Sequence, residues 1–125
     1  MSKKIALKIY TPEKLALDNE VCRVVLPDGR LNLTIIPQRA PTSLILEPGV
    51  MQILDESDTV KEQYFIDTGV VNVASDICTI STLHLIKTNA INKHQALETA
   101  SAEPQAADFY KMIANYFDSF AQTKS

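Results

Sequence analysis

Glycine is scarce in this chain: three residues in 125, and none after Gly69. That scarcity excludes several kinds of site. There is no G-x-x-x-x-G-K-[ST] phosphate loop and no G-x-G-x-x-G dinucleotide turn. Cysteine is nearly as rare. Cys22 and Cys78 are far apart and form no C-x-x-C pair, so both are expected as buried free thiols that pack as small hydrophobes. The two histidines, His84 and His94, have no cysteine or carboxylate at ligand spacing, and no metal site is expected. His84 is placed at a strand end and His94 on a solvated helix face. Long apolar runs are also missing: none approaches the roughly 18 residues of a membrane span. Met1-Ser2-Lys3-Lys4 leads directly into a strand pattern rather than a signal segment. The net charge of −3 is spread over interspersed charges of both signs, which gives no nucleic-acid or bilayer-binding surface. The expectation is a soluble, cytoplasmic chain of one domain with a small appendage.

What is present is organised around Leu31 to Gly49, which holds three of the six prolines and one of the glycines. Leu31, Leu33 and Ile35 fall on one side of an extended chain, and Pro37 ends the run by removing a backbone donor. A corner at Gln38-Arg39-Ala40-Pro41 precedes a second apolar run, Ser43 to Leu46, and Pro48-Gly49 supplies a turn. Alternation elsewhere predicts strands at Ile5 to Tyr10, Leu15 to Leu17, Val21 to Leu26, Val50 to Leu54, Glu62 to Ile66, Val70 to Val73 and Ile77 to Thr82. Turns are expected at Asp18-Asn19, Pro27-Asp28-Gly29, Asp55 to Thr59, Asp67-Thr68-Gly69 and Ala74-Ser75-Asp76. Short strands at this spacing predict two packed antiparallel sheets.

Beyond Ile86 the period changes. Asn92 with Gln95 forms a capping box for a helix to about Thr99, broken at Ser101-Ala102-Glu103, and Pro104 opens a second helix. There Phe109, Met112, Ile113, Tyr116, Phe117, Phe120 and Ala121 form one apolar stripe that must cover something. The fold class is therefore mainly β: an antiparallel β-sandwich over residues 1–87, then a short C-terminal α-helical hairpin over residues 88–125.

One motif suggests catalysis. Asp67-Thr68-Gly69 behind Phe65-Ile66 matches the triplet of aspartic proteases, in which two carboxylates share a proton across a dimer axis. Such enzymes also need a glycine-rich flap and a later glycine segment, which this chain lacks. A turn between strands is the stronger reading. Asn32-Leu33-Thr34 is formally a glycosylation sequon in a chain with nothing to route it to a secretory compartment.

The string Leu33, Ile35-Ile36-Pro37, Ala40-Pro41, Leu46, Pro48-Gly49 resembles the central block of the epsilon subunits of F-type ATP synthases, G-x-L-G-I-L-P-G-H-A-P followed by an apolar strand and a P-G turn. Leu31, Thr34 and Gln38 stand where glycines are usual, and Arg39 where histidine is. Leu7-Lys8-Ile9-Tyr10-Thr11-Pro12, Val21 with Val24-Val25, and Tyr64-Phe65-Ile66 with Gly69 and Val73 extend the resemblance over residues 5–86. It implies a non-catalytic subunit of the central rotor stalk, coupling proton or sodium flow through the membrane ring to ATP synthesis. It also implies a peripheral place on the cytoplasmic face of a bacterial inner membrane, or its organellar equivalent.

The partners so implied are the gamma subunit and the ring, with contact to the catalytic alpha and beta subunits also open. By family position Arg39, Ala40, Pro41 and Thr42 face gamma, and Asp28, Gly29, Arg30 and Asn32 face the ring. Some members bind ATP through an I-D-x-x-R-A motif. Here the matching residues are Ile91, Asn92, Gln95 and Ala96; Gln95 removes the arginine's permanent cation, so no cofactor is expected. In bacterial relatives the two helices can also rise along gamma and inhibit hydrolysis. This tail is short, nearly neutral and aromatic, and is expected to stay docked. An alternative is a free-standing interaction module that grips a partner helix with the Phe109 to Phe120 stripe.

Overall fold

The computed structural model describes residues 4–28, 31–38 and 40–124; the side chains of Asp28, Leu31 and residues 120–124 lie outside the description. The strands are β1 (Ile5–Tyr10), β2 (Leu15–Val21), β3 (Arg23–Asp28), β4 (Leu31–Ile35), β5 (Thr42–Leu46), β6 (Gly49–Leu54), β7 (Val60–Ile66), β8 (Gly69–Ala74), β9 (Ile77–Thr82) and β10 (Leu85–Lys87). Helix α1 (Lys93–Ala102), a 3-10 turn (Pro104–Ala106) and helix α2 (Ala107–Lys124) follow.

Alternating apolar residues force the strands into two layers. Sheet 1 has the order β2-β1-β9-β8-β5 and sheet 2 the order β10-β7-β6-β3-β4. Ile5, Leu7, Ile9, Val71, Val73, Cys78 and Ile80 from sheet 1 meet Val24, Leu26, Ile35, Met51, Ile53 and Ile66 from sheet 2 in one buried core. Ile35 is fully buried, while Leu33 packs against this core only partly buried. The expected sandwich is therefore present, with one pairing that alternation does not reveal: β1 and β9 run parallel, Leu7 opposite Cys78 and Ile9 opposite Ile80.

Several local expectations are corrected. Asp18 and Asn19 are not a turn; they continue β2, Asp18 opposite Lys8 and Asn19 opposite Leu7. The β1 edge offers a full ladder there, and the Asp18–Lys8 cross-strand charges suit it. Pro27 and Asp28 belong to β3 rather than to the turn, opposite Asn32 and Leu31. Cys22 is only half-buried, whereas Cys78 is buried as expected. β10 pairs with β7, Ile86 opposite Phe65, and extends sheet 2 by a strand that is too short to show a period.

The capping box on α1 forms as expected: Gln95 N donates to Asn92 Oδ1 at 2.8 Å and Asn92 N donates to Gln95 Oε1 at 3.0 Å. The helix runs on through Ser101 and Ala102 before Pro104 starts the 3-10 turn. The stripe on α2 covers the outer face of sheet 2. Phe109, Ile113 and Ala114 are buried with Ala96, Ala100 and Phe65, and Val50, Ile86, Tyr116 and Phe117 close the edges. Phe65 meets Tyr116 and Phe117 edge-on at 5.1 and 5.8 Å between ring centroids. Lys93 Nζ and Asp118 Oδ1, 2.5 Å apart, tie α1 to α2. The expectations for Phe120 and Ala121 concern side chains outside those described.

Candidate functional site

The sandwich has two ends, and the residues expected to bind partners divide between them. At one end the corner between β4 and β5 lies against the β8–β9 hairpin: Gln38 N donates to Asp76 Oδ1 at 2.6 Å. Gln38 adopts φ 63°, the left-handed region where glycine is favoured, and Ser75 and Asp76 do so in the facing hairpin. Ala40 and Pro41 are exposed, and Thr42 Oγ1 donates to the Ala40 carbonyl at 2.9 Å. Arg39 lies outside the described residues.

The paired ends of β3 and β4, Asp28 opposite Leu31, lie at the other end, separated from the corner by the length of β4. Asn32 is exposed there, opposite Pro27 in the ladder. Gly29 and Arg30 lie outside the described residues. Pro27 packs against Gly49 so closely that a Cβ on Gly49 would fall 2.6 Å from the proline Cβ. The glycine in the Pro48-Gly49 turn is thus required by close approach.

Asp67-Thr68-Gly69 is a crossing from sheet 2 to sheet 1, and its carboxylate is engaged within the chain. Asp67 is buried; its Oδ1 accepts from Thr68 N at 2.6 Å and its Oδ2 lies 2.8 Å from His84 Nδ1. Thr82 Oγ1 lies 3.0 Å from the carbonyl oxygens of both Asp67 and Thr68. Gly69 is needed because a Cβ there would come within 2.2 Å of the Ser81 carbonyl oxygen. His84 is therefore more than a strand-end residue: its ring also stacks on Phe109 at 5.3 Å and meets Tyr110 edge-on at 5.9 Å. Burial, with the charges of Glu103 and Asp67 nearby, pushes the Tyr110 phenol up. His94 is solvated as expected, paired with Glu98 one turn on at 2.6 Å.

Of the residues matching the nucleotide motif, Ile91 and Gln95 border a shallow pocket of about 320 Å³ lined also by Ile86, Ala90, Glu98, Thr99 and Tyr110. Its lining contributes a carboxylate and no lysine or arginine, a poor match for a phosphate. Gln95 spends its side-chain oxygen on the Asn92 cap, and Ala96 is buried under the helix. Among the described residues no group of three metal-ligating side chains comes together.

The feature that sequence reading missed is the outer face of sheet 1. Tyr10 stands opposite Ser81, Ser81 opposite Val70, and Val70 opposite Ile45, so one row crosses four strands on the outward side. Ile45 is 71 % exposed, Leu83 53 % and Val70 48 %, far more than apolar side chains on a covered face. Together with Thr11, Pro12, Thr68, Gly69 and Thr82 they line an apolar groove of about 560 Å³. The neighbouring outward row is polar, with Lys8, Thr79, Asn72 and Ser43, and Ser43 Oγ lies 2.6 Å from Asn72 Oδ1. A signal was available in the sequence: Leu44-Ile45-Leu46 and Val70-Val71 are apolar on both strand faces, which a sheet with one wet face does not require.

The fold is a two-sheet sandwich with its own helical cover on one side and an open apolar groove on the other. Residues 4–88 match the family model for the ATP synthase delta/epsilon chain, beta-sandwich domain. The chain belongs to that family. It is 28 % identical over 114 residues to the ATP synthase epsilon chain of Rhodospirillum centenum, covering 90 % of this chain and 76 % of that one. It is 26 % identical to the ATP synthase epsilon chain of Chelativorans sp., covering 86 % and 81 %. Among solved structures it resembles a chain of the Euglena gracilis mitochondrial ATP synthase OSCP/F1/c-ring assembly, with TM-score 0.69, 19 % identity and coverage of 98 % and 82 %. A chain of the Tetrahymena thermophila mitochondrial ATP synthase central stalk and c-ring gives TM-score 0.60, 16 % identity and coverage of 90 % and 98 %. The two structural likenesses speak to the fold. No helix among the described residues is long and apolar enough to cross a membrane.

Proposed function

We propose that this chain is a non-catalytic adaptor in the central rotor of an F-type ATP synthase, clamped to gamma by the open face of sheet 1. The observation that carries this reading is the groove around Ile45, Val70, Leu83 and Tyr10 in a chain of this family. Burying such a face on a partner removes apolar area from water at about 25 cal/mol per Å². β5 holds Ile45 in the groove and begins at Thr42, which the exposed Ala40 and Pro41 directly precede, so these expected gamma residues adjoin the groove strand. Asp28 ends β3 and Asn32 lies near the start of β4, and to these, with Gly29 and Arg30 between them in sequence, we assign the membrane ring. The adaptor must not bend between shaft and ring, and a close-packed interior meets that need because it deforms little.

In this reading residues 1–87 form the rotor-binding unit and residues 88–125 its helical cover. The subunit sits peripherally at the cytoplasmic face of a bacterial inner membrane or the organellar equivalent. Torque passes through it while proton or sodium flow drives ATP synthesis elsewhere in the complex. Affinity isolation of the tagged chain from gently solubilised membranes tests this: gamma and ring subunits are expected together. Their absence, with an unrelated protein in their place, would overturn it.

A further inference from the structure

The two crossings at residues 67–68 and 83–84 have one side in the groove and the other beneath α2. Thr68, Gly69, Thr82 and Leu83 line the groove. The adjoining Asp67 and His84 turn the other way: Asp67 is buried and joined to His84, and His84 stacks on Phe109 of α2. Further contacts bind the crossings to each other and to β5. Asp67 N donates to the His84 carbonyl at 3.0 Å, Thr82 Oγ1 bridges the Asp67 and Thr68 carbonyls, and Thr68 Oγ1 reaches the Leu46 carbonyl at 3.1 Å. Leu46 adjoins Ile45, the most exposed apolar residue of the groove.

We infer that Asp67 and His84 are positioning residues that couple the two faces: a partner seated in the groove tightens docking of α2, and loss of α2 docking weakens the groove. The inference rests on the proposed function for the identity of the partner, gamma. The groove wall at Thr68, Thr82 and Leu83 is continuous in the chain with the pair that receives Phe109. Shifting the pair by a fraction of an ångström therefore moves the wall, because a packed interior transmits displacement rather than absorbing it. Coupling of this kind is reciprocal: whatever factor gamma adds to α2 docking, docking must add to gamma affinity. Phe117 lies two turns further along α2, its ring against Phe65 rather than His84, and serves as an internal contrast.

The test uses the full chain with its cognate gamma subunit. Amide hydrogen exchange of residues 107–119 is measured with and without gamma, and gamma affinity is measured for the wild type, Phe109→Asp and Phe117→Asp. Gamma should slow exchange in the first half of α2, and Phe109→Asp should weaken gamma about fivefold or more. Phe117→Asp should free the far half of the helix and leave gamma affinity near the wild-type value. Protection of the β1 and β9 amides in each variant shows that the sandwich is intact; if Phe109→Asp unfolds it, the gamma-dependent slowing in the wild type decides the matter. Gamma binding that leaves α2 exchange unchanged would overturn the coupling while leaving the proposed function standing. Equal weakening by Phe109→Asp and Phe117→Asp would overturn the route through the crossings. Failure of the wild type to bind gamma at all would remove both.

Discussion

On the outer face of sheet 2, Val50, Phe65 and Ile86 lie under α1 and α2, and Phe65 is fully buried. On the outer face of sheet 1, Tyr10, Val70 and Ile45 stand in one row interrupted only by Ser81, yet Ile45 remains 71 % exposed. Both sheets share one interior, so the difference lies only in what covers the second face. One face meets the chain's own tail; the other stays open. Similar sequence patterns thus have opposite energetic meanings: stability in one sheet and, in the proposed function, binding in the other.

Truncation should separate the two. Phe65→Ala removes a buried ring that holds three elements together and is expected to cost ~3–5 kcal/mol in chemical denaturation. Ile45→Ala should stay within about half a kcal/mol of the wild type, since the side chain is already largely in water. Equal losses would mean that the faces do not differ as described. Ile35→Ala, between the sheets, should cost ~2–5 kcal/mol whatever happens on either outer face. A loss below about half a kcal/mol would remove Ile35 from the core.

Deleting residues 104–125 removes α2 and uncovers sheet 2 while keeping the residues of the row on sheet 1; by the coupling inferred above it should weaken gamma binding. ATP hydrolysis by the assembled enzyme should remain nearly unchanged, because the tail is docked as a cover and its ion pair to α1 is internal. A several-fold rise in hydrolysis would show that the tail restrains the enzyme directly.

A smaller effect concerns the thiols. Burial pushes Cys78 up to about 11 from an ordinary value of 9.0, so the folded state holds its proton more tightly than the unfolded state. This contribution to stability is complete below pH 9 and is lost as pH rises towards 11. At pH 8 a thiol reagent should modify Cys22, which is half-buried, before Cys78. Equal labelling rates would place Cys78 outside the core.

Much of this architecture is legible in the residues. Strict alternation at Ile5, Leu7 and Ile9 marks β1, and the Asn92–Gln95 box marks the start of α1, because both signals are local. Partner choice is not local. Nothing in Ile5 to Tyr10 says that β1 pairs in parallel with β9, and Asp18-Asn19 reads as a turn until β1 supplies a ladder for it. The buried Asp67–His84 pair joins residues from two crossings, and neither His84 nor the Asp67 turn suggests the other. Ala40, Pro41, Thr42 and Asn32 are at the surface, while Arg39, Gly29 and Arg30 lie outside the described residues. The groove depends on four strands aligning in register, and it was signalled only by apolar residues on both faces of β5 and β8.

The central claim is that the open face of sheet 1 holds gamma. Its most direct test is the affinity of the full chain for cognate gamma, compared among the wild type, Ile45→Asp and Leu97→Asp. Leu97 is also apolar and 45 % exposed, but it lies on α1 over the opposite sheet. Ile45→Asp should weaken gamma by at least about thirtyfold, the loss of one central apolar anchor, with denaturation behaviour unchanged. Leu97→Asp should bind as the wild type does. Wild-type affinity in Ile45→Asp, or an equal loss in both variants, would contradict the assignment.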